Sequence, residues 1–233
     1  MSTTNKLFRS PEMQVWDMRR WNSALDLGLG QDDFAQLPDP PSEPLDPGAA
    51  ILLVPRLPDR FGKSGLERTV EECIRRMLQC PVIERGGRLA RMPDLNCDAA
   101  HLKDIGGRMY KPGLGWVIID LCSSTWKGRA CSPYYRSLME CCAYRRVAGL
   151  EVFAALAAFP DWLTAMDGKD IPFVWAPGLL LMIDHLDHRT HPYTPAISYR
   201  AQEGAVIIGA SLSSNADTRF YVPRLLSYEP VGQ

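Results

Sequence analysis

The spacing of hydrophobic positions changes several times along the chain, and each change predicts an element. Val15, Met18, Trp21, Leu25 and Leu29 recur at helical spacing, so residues 11–29 are expected to form an amphipathic helix. Pro11 suits its first turn, and Gly28 and Gly30 are expected to close it. Residues 50–55, AILLVP, form a continuous apolar run typical of a strand buried on both faces. The next helix is expected to start at a capping box, Ser64-Gly65-Leu66-Glu67. Leu66, Val70, Cys73, Ile74 and Met77 would give it one apolar face, with Glu71–Arg75 and Glu72–Arg76 paired at i,i+4 on the other. Residues 116–121, WVIIDL, read as a second buried strand.

Residues 92–114 are polar and dotted with glycine, which predicts a loop with a short helix near residues 99–104. Residues 136–159 are expected to form one long helix or two successive ones, nearly all apolar after Val147 and stopping at Pro160, at the centre of the core. Four strand-like segments follow, at 171–175, 179–183, 197–200 and 205–210, and local antiparallel pairing is expected among them. Five prolines within residues 38–47 remove amide donors and favour extended geometry, as in a stiff strap between the first helix and the body. These elements predict an α+β fold: a single domain over residues 48–228, with a mixed or antiparallel sheet and a central apolar helix. Residues 1–47 add an N-terminal helix and the proline-rich strap.

Composition narrows the partners. The 233 residues carry 26 basic and 27 acidic side chains, so no global charge draws the chain to nucleic acid or an anionic membrane. Residues 51–160 are mildly basic, with 17 basic against 11 acidic side chains, but no run of five basic residues occurs. The longest apolar helical run, 147–159, is short of the ~20 residues that a membrane span requires. Seven cysteines with no C-x-x-C spacing do not make a disulfide framework. The first residues hold no apolar segment of signal-peptide length, so reduced thiols and a cytoplasmic location are expected.

The pattern resembles an uncharacterised bacterial family, a domain of unknown function, over most of the chain. The matching features are Leu27-Gly28-Leu29, the DDFAQLP stretch at 32–38, the ILLVP strand and the helix ending in Pro160-Asp161. The resemblance implies a strand-rich C-terminal part and brings no activity, cofactor or catalytic residue.

Two constellations could carry chemistry. Gly62-Lys63-Ser64 stands at a helix start after an apolar strand, and Asp120 ends a second apolar strand. In a phosphate-binding loop such residues cradle phosphates with amides, lysine and hydroxyl, while a strand-end aspartate assists the magnesium ion. Leu57 replaces the first glycine of that motif, Pro58 has no amide to donate, and the capping box accounts for Ser64 by itself. The second constellation is Asp184, His185, Asp187, His188 and His191, a clustering of imidazoles and carboxylates suited to zinc. The competing account is a solvated loop whose histidines do not converge.

Nucleophilic catalysis has less support. No G-x-S-x-G elbow occurs, Cys131 lacks a demonstrable base, and Gly28-Leu29-Gly30 and Gly113-Leu114-Gly115 miss the third glycine of a dinucleotide fingerprint. Glu151 lies on the apolar helix, and it is expected to face water near the helix start. With no complete catalytic motif, the leading expectation is a non-catalytic binding or protein-interaction module. Its partner would be another protein or a small ligand, with a metal-dependent hydrolase or a nucleotide- or phosphate-binding protein as the alternatives. No cofactor is identified.

Overall fold

A computed structural model describes residues 9–41, 49–56, 62–78, 88–91, 100–104, 113–120, 149–159, 162–163, 173–183, 193–212, 220–221 and 223–230. The N-terminal helix α1 spans Pro11–Leu25, where Ser10 caps the start by accepting from the Met13 amide. A one-turn helix, α2, covers Gln31–Ala35. Strand β1, Ala49–Arg56, precedes helix α3, Gly62–Leu78. Strands β2 (Arg88–Arg91), β3 (Ala100–Asp104) and β4 (Gly113–Asp120) follow, and then the apolar helix α4, Leu150–Ala158. The C-terminal part holds β5 (Phe173–Trp175), β6 (Leu179–Ile183), β7 (Tyr193–Arg200), β8 (Ala205–Leu212), β9 (Phe220–Tyr221) and β10 (Arg224–Pro230).

The strands form two sheets. In the first, β4 lies between β1 and β10 and runs antiparallel to both. All eight β4 residues are buried, which is why its sequence is a continuous apolar run instead of an alternation. The second sheet is mixed. Its organising strand is β7, antiparallel to β8 along its whole length and to β5 and β6 on its other side, while β2 and β9 add parallel pairs.

One hydrophobic cluster joins both sheets and three helices. It includes Met18 and Trp21 of α1, Leu52 of β1, Cys73 and Met77 of α3, Trp116 of β4, Phe153 of α4 and Ile197 of β7. Helix α4 is buried from Leu150 through Leu156, so it is the central helix that the apolar run predicted. Val70, Cys73, Ile74 and Met77 are buried on α3 as expected, and the Glu72–Arg76 pair forms at 3.2 Å.

Several local expectations are corrected. Helix α1 ends at Leu25 instead of running to the glycines, because Asp26 adopts a left-handed conformation (φ 51°). The Asn22 side chain then takes both backbone groups of Leu29, donating to its carbonyl at 2.8 Å and accepting from its amide at 3.0 Å. Helix α3 begins at Gly62, so Ser64 lies inside the first turn and is not its N-cap. Residues 100–104 are a strand, since β3 pairs along its whole length with β6, and that pairing overrides local preference. Arg75 bonds Glu72 at 2.6 Å. Glu151 is only 1% exposed instead of facing water, and it accepts from the Gly149 amide at 2.9 Å.

Gly149 also explains how α4 meets the second sheet. A β-carbon built there would stand 2.9 Å from the carbonyl carbon of Gly178, a backbone atom in the turn between β5 and β6. Gly149→Ala is therefore expected to lower unfolding free energy by about 1–3 kcal/mol through overpacking, measured by urea denaturation. Cys73 is free and fully buried, and desolvation pushes its thiol up to about 12. Its thiolate fraction at pH 8 is then on the order of one in ten thousand. Cys73 should resist iodoacetamide in native buffer and become labelled only as the chain unfolds, a change that peptide mapping by mass spectrometry reads directly.

Candidate functional site

The register of β1 and β4 decides the first constellation. Ala49 pairs with Asp120, and Arg56 pairs with Gly113. The chain leaves β1 toward Gly62-Lys63-Ser64 from Arg56, so Asp120 stands at the opposite end of the strand, about 23 Å away at 3.3 Å per residue. An aspartate that assists a phosphate loop must share the carboxyl edge of a parallel pair with it. This pair is antiparallel, so Asp120 and the end of β1 that leads toward Gly62, Lys63 and Ser64 lie at opposite ends of the strand pair. Asp120 is buried at the end of β4.

The second constellation, Asp184, His185, Asp187, His188 and His191, lies outside the described residues, as does Cys131. Strand β6 ends at Ile183, just before it. Among the described residues, no three histidine, cysteine, aspartate or glutamate side chains come together as metal ligands.

The polar chemistry that the structure does assemble is built on α1. Four residues of this helix are buried: Gln14, Asp17, Met18 and Trp21. They share one face by their i, i+3, i+4 and i+7 spacing, and two of them are polar. Gln14 explains its burial by acting as a piece of strand. Its amide nitrogen donates to the Ile51 carbonyl at 3.0 Å, and its oxygen accepts from the Leu53 amide at 2.9 Å. Among the described residues β1 is the edge of its sheet, and the Gln14 side chain satisfies two of the backbone groups on that side.

Asp17 lies between two guanidinium groups. It pairs with Arg9, which precedes the helix, and with Arg76 of α3 at 3.4 Å. Arg76 also bonds Glu72 at 3.2 Å, and its guanidinium sits 4.4 Å above the Trp21 ring. Burial holds the Arg9 pKa below its ordinary value, and the nearby charges of Arg76 and then Arg20 push in the same direction. Glu72 is held below the usual carboxylate range, first by its bond to Arg75. Trp21 is 7% exposed, and its Nε1 has no hydrogen-bond partner among the described residues. Arg9, Asp17, Trp21 and Arg76 line a cleft whose other wall is apolar, with Leu52 of β1 and Ala154 and Ala158 of α4.

The opposite face of α1 is also distinctive. Met13 is 53% exposed and Trp16 58%, the two large hydrophobic side chains left open among the described residues. Arg20 stacks over Trp16 at 4.7 Å, and Arg19 covers the Phe34 ring of α2 at 4.8 Å. The amphipathic reading anticipated Met18 and Trp21 on the inner face but missed Arg9, Gln14, Asp17 and Arg76. Gln14 and Asp17 were detectable as polar residues in phase with the apolar stripe. Nothing in the local pattern linked Arg9 or Arg76 to them.

Comparison with protein-family models, curated proteins and solved structures finds no match for this chain. No helix among the described residues is long and apolar enough to cross a membrane.

The anchoring role of Gln14 is directly testable. Gln14→Leu leaves the buried Leu53 amide without its acceptor and is expected to cost about 1–3 kcal/mol of stability. Urea denaturation should show the loss, and hydrogen exchange at the Leu53 amide should accelerate more than at Val117 in the centre of the sheet.

Proposed function

We propose that the chain is a non-catalytic, cytoplasmic protein-interaction module whose contact surface is the outer face of α1. The observation that carries this reading is the exposure of Met13 and Trp16, three residues apart, on a helix whose other face is anchored in the core. Large apolar side chains left in water on a rigid element favour association, and tryptophan, methionine and arginine are enriched in protein contacts. Arg20 adds a cation stacked on Trp16, and Arg19 is exposed beside it. The matching partner is a protein segment with an apolar side chain flanked by carboxylates, which would bury the indole and pair with the arginines.

The anchoring of α1 supports this reading because a helix already held by Gln14, Met18 and Trp21 loses little freedom on docking. Cys73, the cysteine among the described residues, is buried and held protonated.

The test is photocrosslinking in cells from a benzoylphenylalanine at position 13, followed by affinity measurement with the captured protein. Trp16→Ala is expected to weaken binding about thirtyfold or more, as for a central contact residue, while the melting temperature stays within a degree or two. Unchanged affinity in Trp16→Ala would overturn the reading. Crosslinking only to a second copy of the chain would replace the proposed partner with self-association, which sedimentation would confirm.

A further inference from the structure

The cleft behind α1 is independent of the outer face, and its chemistry points to a small-molecule ligand. Its interior volume is about 30 Å³, above the roughly 10–15 Å³ that one water needs. One wall is apolar, formed by Met18, Leu52, Ala154 and Ala158, and the other presents Arg9, Arg76 and Trp21. We propose that this cleft binds a small aliphatic carboxylate, with Arg9 and Arg76 as donors, the Trp21 ring beside them and the alanines of α4 facing its alkyl end.

Three observations carry the assignment together. First, Trp21 lines the cleft and its ring lies 4.4 Å beneath the Arg76 guanidinium, so the cation at the floor of the cleft is held in place by an aromatic face. Second, among the described residues the charges at the cleft do not balance. Arg9 and Arg76 face the cleft against a single carboxylate there, Asp17, and Glu72 is shared between Arg76 and Arg75. A monoanion completes this set, whereas a doubly charged phosphate would overcompensate it. Third, the access is on the correct side. Arg9 retains 37% side-chain exposure, while Arg76 and Asp17 retain only 13% and 10%, so Arg9 marks the mouth of the cleft and the other two its floor.

A planar carboxylate also suits the donors by shape, since guanidinium groups bind its two oxygens side by side. Asp17 already pairs with both guanidinium groups from within the protein, one carboxylate oxygen to each, and is therefore an internal competitor. The small volume limits the ligand to a short chain, of acetate or propionate size. Ala154 and Ala158 leave room for methyl or ethyl groups where larger residues would close the wall.

The test uses the full chain, titrated with sodium propionate at constant ionic strength against sodium chloride. The indole N–H resonances of the six tryptophans are followed by NMR, with Trp21 assigned through Trp21→Phe and Trp16 through Trp16→Phe. The expected result is a saturable shift of the Trp21 resonance with propionate and acetate, absent with chloride and with neutral methyl propionate, while Trp16 stays still. Arg9→Gln should weaken binding about tenfold, as loss of a charge-assisted bond does. Asp17→Asn should tighten it by removing the internal competitor, an effect that a purely structural role for Asp17 would not produce. A Trp21 resonance that is unmoved by propionate, or that moves equally with chloride, would overturn the proposal and leave a water-filled cleft. Because Trp16 and Trp21 report separately, failure here leaves the outer-face reading of α1 untouched, and the reverse also holds.

Discussion

The antiparallel register of β1 on β4 is the constraint on which the rest of the structure depends. Eight consecutive residue pairs, from Ala49 with Asp120 to Arg56 with Gly113, place two apolar strands side by side with both faces to be covered. Helices α1, α3 and α4 contribute to that cover, and the second sheet supplies residues from β5 to β8 to the same cluster. The register sets where each strand end points, and it carries the chain toward α3 from the end remote from Asp120. A one-residue slip would exchange the faces of every side chain on β1 and would move Ile51 and Leu53 away from Gln14.

A core made this way must also satisfy the polar groups it buries, and the protein does so mainly with side chains that reach backbone. Gln14 closes part of the open edge of β1, and the Trp116 indole donates to the Pro38 carbonyl at 2.8 Å. The latter contact ties the start of the proline-rich segment to the middle of β4. Thr194 donates toward the Ala176 carbonyl at 2.9 Å, holding β7 to the turn between β5 and β6. Glu151 accepts from the Gly149 amide at the start of α4. Each of these bonds costs far more to leave unmade than its formation contributes, so they specify the packing as well as stabilise it.

Helix α1 combines these themes. Its inner face is held by Gln14 and by burial of Met18 and Trp21, and it carries Asp17 to two arginines from outside the helix. Its outer face keeps a tryptophan and a methionine in water. A helix fixed so firmly on one side presents its other side with little conformational cost, which makes it a suitable base for recognition. The excess of guanidinium over carboxylate in the cleft follows from the same anchoring, because docking α1 on α3 brings Arg9 and Arg76 to one aspartate.

The sequence by itself determined the elements whose identity is local. The period of Val70, Cys73, Ile74 and Met77 marked α3, the unbroken runs marked β1 and β4, and the apolar stretch before Pro160 marked the central helix, because burial of a face or of a whole segment is written in hydrophobic spacing. The α+β class and the antiparallel pairing of β7 with β5, β6 and β8 followed from the same signals. Tertiary structure alone decided what depends on distant pairing. Residues 100–104 are a strand only because β6 lies beside them, and β2, β9 and β10 gave no sufficient local pattern. Gly62-Lys63-Ser64 and Asp120 were linked by type and order, yet strand direction placed the aspartate at the wrong end. The cleft was equally invisible, since Arg9, Asp17 and Arg76 span 67 positions of sequence and meet only when two helices pack, and no local pattern encodes that contact.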